Sequence, residues 1–115
     1  MKTTHRVTQG DSFSIKVQLL VDSVPAPIDG WEFWMTVKRA STDTDDQAVF
    51  QKRTSDGSIV PYDATTVVIE GVPSDTKDKD TGRCDYDIQG KAPGGQIYTL
   101  ETGFFYIDPE TTRAA

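Results

Sequence analysis

Cysteine occurs once in these 115 residues, at position 84, and histidine once, at position 5. A single thiol cannot close an intramolecular disulfide, so oxidation does not hold this chain together. With one histidine and one cysteine, a zinc site of ordinary ligand composition is almost excluded, and no metal or cofactor is expected. Cations are also scarce: 12 lysines and arginines face 18 aspartates and glutamates, for a net charge of −6. Phosphates would be repelled over most of such a surface, which argues against nucleic acid as a partner. No stretch approaches the roughly 20 apolar residues of a membrane span. The start, MKTTHRVTQGD, has no apolar segment of signal-peptide length. The expectation is a protein made in a cytoplasm, with no membrane partner.

What is present suits one folded domain. A chain of this length buries about two-thirds of its unfolded surface on folding. Hydrophobic residues at 36% and aromatics at 10% exceed what a disordered chain carries. Period-two alternation dominates. Phe13, Ile15, Val17, Leu19 and Val21 share one parity against Ser12, Ser14, Lys16 and Gln18 on the other, which predicts a half-buried strand over 13–21. Gln9-Gly10-Asp11 turns the chain ahead of it, after a short first strand, and Val24-Pro25-Ala26-Pro27 ends its ladder. Trp31, Phe33, Met35 and Val37 alternate with Glu32, Trp34, Thr36 and Lys38, so Trp34 falls on the polar side.

Further on, Ala48–Lys52 and Thr65–Glu70 read as strands, and Ile59–Pro61 reads as a short one. Residues 41–46 and 74–82 read as polar loops, the second with nothing apolar to pack. Arg83–Gln89 alternates again, and Pro93-Gly94-Gly95 turns into a last strand, Gln96–Ile107, where Gly103 is the expected site of a register-switching bulge. About seven short strands without a 3.6-residue apolar period predict an all-β chain, an immunoglobulin-like antiparallel β-sandwich. Residues 1–108 form that single domain and 109–115 a polar tail.

The chemistry-bearing candidates are few. Asp85 and Asp87 lie two apart, about 7 Å along an extended strand, a spacing that suits a shared cation or a glycosidase pair. The same alternation makes them the wet side of a strand whose other side is Cys84, Tyr86 and Ile88, and that reading is preferred. Asp43, Asp45 and Asp46, and separately Asp75, Asp78 and Asp80, look like fragments of calcium loops. Counting from Asp78, however, the glycine comes one position early and the twelfth residue is Gln89, so the EF-hand pattern fails. Cys84 has no nearby base, since His5 lies among the first residues, and it reads as a small buried hydrophobe. No catalytic residue is assigned and no enzyme activity is expected. Trp34 on a polar strand face, and one of Phe105 and Tyr106, are aromatics expected to face outward. Together with Asp85 and Asp87 they form the candidate protein-interface set.

The order of several short motifs resembles the small Ig-like domains of tailed bacteriophages and prophages, similar to the N-terminal domain of baseplate upper proteins. The motifs are Gln9-Gly10-Asp11-Ser12-Phe13, Pro27-Ile28-Asp29-Gly30-Trp31 and Val37-Lys38, followed by Val67-Val68-Ile69, Ser74-Asp75-Thr76 leading to Gly82, Tyr86-Asp87-Ile88-Gln89, and Tyr98-Thr99-Leu100 with Gly103. Two positions depart from the pattern: Cys84 replaces a tyrosine, and the loop around Lys77-Asp78-Lys79 lacks a leucine. The resemblance implies a virion structural protein of tail, baseplate or tail-fibre attachment, homo-oligomeric in the particle and bound to other phage proteins, with no catalytic residues to carry over. With no room for a second domain after residue 107, an adaptor is expected rather than a receptor-binding tip. The alternative is a head-decoration or adhesion module that stacks a host-surface carbohydrate on Trp34. A cation-dependent hydrolase using Asp85 and Asp87 is the remaining reading.

Overall fold

The computed structural model describes residues 3–111. Its strands are Thr3–Thr8 (β1), Phe13–Gln18 (β2), Leu20–Val21 (β3), Val24–Pro25 (β4), Glu32–Lys38 (β5), Phe50–Arg53 (β6), Ile59–Pro61 (β7), Thr66–Gly71 (β8), Gly82–Lys91 (β9) and Ile97–Asp108 (β10). The only helices among the described residues are 3₁₀ turns at Asp45–Gln47, Thr54–Asp56 and Pro73–Asp75. The polar tail expected over 109–115 is described only to residue 111, and the rest lies outside the described residues.

One sheet has the order β1-β10-β9-β5-β6, a second has β2-β8-β7, and β3 pairs only with β4. With β2, β8 and β7 as strands B, E and D, and β5, β6, β9 and β10 as C, C′, F and G, this is the strand order of an immunoglobulin-like sandwich. The expected sandwich is therefore present, with two differences. Ten strands replace about seven, largely because several pieces are only two or three residues long. The arrangement is also not wholly antiparallel, since β1 runs parallel to β10, with Thr3 opposite Gly103 and Thr8 opposite Asp108.

The core follows from the alternation. Phe33, Met35 and Val37 of β5 face Ile15 and Val17 of β2 and Val67 and Ile69 of β8 across the two layers, joined by Cys84, Tyr86 and Ile88 of β9 and Phe105 and Ile107 of β10, all buried. Each large apolar side chain sequestered in this way contributes about 1.5–3 kcal/mol. Phe50, Phe13 and Phe105 form a cluster of rings with centroids 5.5–5.9 Å apart.

The strand expected over 13–21 breaks at Leu19. Asp22 and Ser23 have φ of 51° and 65°, the left-handed pair of a two-residue hairpin turn, so Leu20 and Val21 fold against Val24 and Pro25. Val21, expected inward, is 46% exposed. The register of β10 does switch, but between Thr99 and Glu101 rather than at Gly103. Gly103 has a different task. A Cβ there would come within 1.8 Å of the Thr3 carbonyl oxygen and 2.9 Å of the Tyr86 ring, so the bare backbone makes room for β1 and for that ring.

Candidate protein interface

Strand β9 lies between β10 and β5, and its alternation decides what the five-stranded sheet shows to solvent. Cys84, Tyr86 and Ile88 point into the core, and Asp85, Asp87 and Gln89 point out. The register then fixes their neighbours on the outer face. Asp85 lies between Phe104 and Lys38, Asp87 between Thr102 and Thr36, and Gln89 beside Trp34, which is next to Arg53. At one end of the same face Tyr106 lies between Arg6 and Arg83.

Four of the five residues expected at an interface therefore share one surface: Trp34, Tyr106, Asp85 and Asp87, each half-buried. Phe105 does not. It is 1% exposed and packs edge-on against Phe50, because the early bulge in β10 turns Gly103, Phe105 and Ile107 inward and leaves Phe104 and Tyr106 outside. Sequence reasoning missed Phe104, whose outward direction depended on where that bulge falls. Both outer rings are covered by cations. The Arg6 guanidinium sits 4.3 Å from the Tyr106 ring centre and that of Arg83 4.7 Å from Phe104. Arg6 is also held by two hydrogen bonds to Asp108, of 2.9 and 3.2 Å.

On the same face lies a depression of about 400 Å³ lined by Thr36, Lys38, Asp45, Asp85, Asp87 and Thr102, among others. Lys38 makes a 2.8 Å ion pair with Asp45. Asp85 accepts the Ser41 backbone N–H at 3.1 Å, so it caps the loop after β5. The Asp87 carboxylate accepts no hydrogen bond among the described residues. Burial pushes its carboxyl above the ordinary range, nearby Lys38 opposes that shift and Asp45 adds to it. The two carboxylates have thus separated into one that anchors a loop and one left open to a donor from outside. No group of three histidine, cysteine or acidic side chains placed to hold a metal occurs among the described residues. Burial raises the Cys84 thiol, which keeps it protonated and unreactive.

A cluster that the sequence did not suggest lies at the β1 edge. Tyr86 donates its hydroxyl to Glu101 at 2.6 Å, and His5 Nε2 stands 3.3 Å from the same carboxylate oxygen, with the two rings 5.4 Å apart. Burial and then the bond to Glu101 push the Tyr86 phenol well above its ordinary range, so it acts only as a donor. His5 is an ordered part of β1 rather than a residue of a loose terminus. Its work there is to clasp that strand to β10.

At one end of the sandwich, Leu20, Val21, Trp31, Tyr98 and Leu100 line a second, more apolar groove of about 490 Å³. Trp31 stacks on Phe33 and leans on Tyr98, with ring centres 6.1 and 5.9 Å apart. No protein-family model matches the chain, and no curated protein matches it. The described helices include none long and apolar enough to cross a membrane.

Proposed function

We propose that this chain is a structural protein of a tailed bacteriophage or prophage particle, a tail, baseplate or fibre-attachment piece that works by being assembled against neighbouring proteins. The observation that carries the assembly role is the outer face of the five-stranded sheet. Trp34, Phe104 and Tyr106 share that face with a depression whose Asp87 carboxylate has no internal hydrogen bond. Half-buried aromatics around a polar centre are the usual anchors of a protein contact. The choice of a virion rests on the sequence resemblance. Quantitative mass spectrometry of purified particles tests it: many copies per particle are expected, and absence from the particle removes the proposal. Trp34→Ala combined with Asp87→Lys should leave the circular dichroism spectrum unchanged and deplete the protein from particles.

A second reading, a host-surface or carbohydrate-binding module, is favoured by the groove where Tyr98, 49% exposed, stands beside Trp31 with Gln18 and Asp22 at hand. Sugar rings stack on such aromatics, and their hydroxyls bond to such polar side chains. Glycan-array signal lost on Tyr98→Ala, and retained on Trp34→Ala, would support this reading; no signal from the unmodified protein would end it.

A further inference from the structure

Strand β2 is the outer strand of its sheet, with β8 on one side and no strand on the other among the described residues. Its hydrogen-bond alternation can be worked out. Leu19 N–H donates to the Thr65 carbonyl at 2.8 Å, in the β2–β8 direction. On β8, Glu70 N–H and the Thr66 carbonyl bond toward β7, to Ser58 and Tyr62 at 2.8 and 2.9 Å. Neighbours along an antiparallel pair alternate in direction, so Phe13, Ile15 and Val17 face β8 and Ser14, Lys16 and Gln18 aim their N–H and C=O groups at the open edge. No backbone bond to another segment satisfies those three residues among the described residues.

The other edges are blunted. β7 is three residues long and ends at Pro61. β6 is four residues long, and Ser58 Oγ binds both the N–H and the carbonyl of Arg53 at its end. β1 has a single buried side chain, Val7, and so gives a partner little apolar cover. β2 has six residues without proline, bulge or inward charge, and its Ile15 and Val17 retain 8% and 7% exposure at the edge. A strand of this kind is a template for another strand.

We infer that β2 pairs antiparallel with β2 of a second copy of this chain, joining the two three-stranded sheets into one. Charge selects the register. A two-fold axis at Lys16 would set two ammonium groups directly opposite each other, which is unfavourable. An axis at Ile15 instead puts Lys16 beside the partner's Ser14. The next side chain in that row is the partner's Glu70, because Ser14 is paired with Glu70 within each copy. Two strand spacings, about 10 Å, separate Lys16 from that carboxylate, within reach of two long side chains. On the inner side Ile15 then meets the partner's Ile15, and Val17 the partner's Phe13, so the edge of the core is covered on both copies. In purpose this pairing rests on the assembly reading above; in geometry it stands on the edge alone.

Amide hydrogen exchange, measured on the full chain at low and high protein concentration alongside sedimentation, tests the pairing. A dimer is expected at high concentration, with the Ser14, Lys16 and Gln18 amides slowed by about tenfold or more while Ile15 and Val17 stay protected at both concentrations. Lys16→Pro removes an edge donor together with the ammonium that sits 3.9 Å from the Tyr62 ring centre, spares the β8 ladder and should give a monomer. If that variant unfolds, charge exchange decides. Lys16→Glu and Glu70→Lys should each weaken the dimer, and the double variant should restore it. A chain that stays monomeric at the highest concentration overturns the inference, as does a dimer in which those three amides exchange freely. A protein counted in particles whose β2 edge exchanges freely would lose this pairing and keep the assembly role.

Discussion

Residues 41–47 and 73–80 are both acid-rich connections without a large apolar side chain, yet the first lies on the outside of the sandwich and the second is built into its side. In the first, Asp43, Asp46 and Gln47 bond to backbone or side chains at its own ends, and its links to strands are two exposed ones, the Ser41 N–H on Asp85 and the Lys38–Asp45 pair, whose aspartate is 78% exposed. In the second, Asp75 meets Lys52 at 2.5 Å with both side chains nearly buried, Thr76 is fully buried and accepts the Gly10 N–H, and Gln9 donates to the Lys79 carbonyl. The expectation that residues 74–82 have nothing to pack against is therefore corrected. Composition describes what a loop is made of, and the strand beneath it decides whether the loop is held. Lys52 occupies an inward position of β6, two residues after the buried Phe50, and a buried ammonium must find a carboxylate.

The largest test of this contrast is Asp75→Ala. It leaves Lys52 buried without a counter-ion and should cost about 3–5 kcal/mol in urea denaturation. Replacing both members by apolar residues, Lys52→Met with Asp75→Leu, should recover most of that loss. Next in size is Thr76→Val, which strips the acceptor from Gly10 N–H and should cost roughly 1–3 kcal/mol by the same measurement. On the outer loop, Asp45→Ala should cost less than about 1 kcal/mol, and near 1 M salt the difference from the parent should vanish. If Asp45→Ala and Asp75→Ala prove equal, the distinction between the loops is broken.

The smallest effect is expected at Asp87 and has the opposite sign. Its carboxyl is raised in the folded state above the ordinary 3.8, so its ionisation opposes folding at neutral pH. Asp87→Asn should therefore raise the melting temperature slightly at neutral pH. The gain should shrink as pH falls through the raised folded value and disappear below the unfolded one. A gain that persists in acid would mean that charge at Asp87 is not its source.

Much of this was legible because period two is a strong signal when one face of a strand is buried. β5 and β9 were readable from Phe33, Met35 and Val37, and from Cys84, Tyr86 and Ile88, and the outward placement of Trp34, Asp85 and Asp87 followed from them. Three features were not legible. The Asp22-Ser23 turn needs two left-handed residues, and neither residue is a glycine that would announce it. The shift at Leu100 is a bulge without a glycine, so the obvious glycine three residues later drew the expectation, and which of Phe105 and Tyr106 faces outward stayed open with it. The depression around Asp87 requires β5, β9 and the loop after β5 to come together, and long-range register of that kind has no signature in a local window.

The parallel seating of β1 on β10 has a mechanical consequence. Because both strands run the same way, Thr3 enters at one end of the shared ladder and Asp108 leaves at the other. Tension drawn between those two points does not peel the strands apart one bond at a time. It slides β1 along β10, and the hydrogen bonds of all six residue pairs must yield together, backed by the Arg6–Asp108 pair and the Tyr86–Glu101–His5 clasp. The domain is in this sense a link that resists stretching along its own length, with its strongest direction set by the orientation of one short strand.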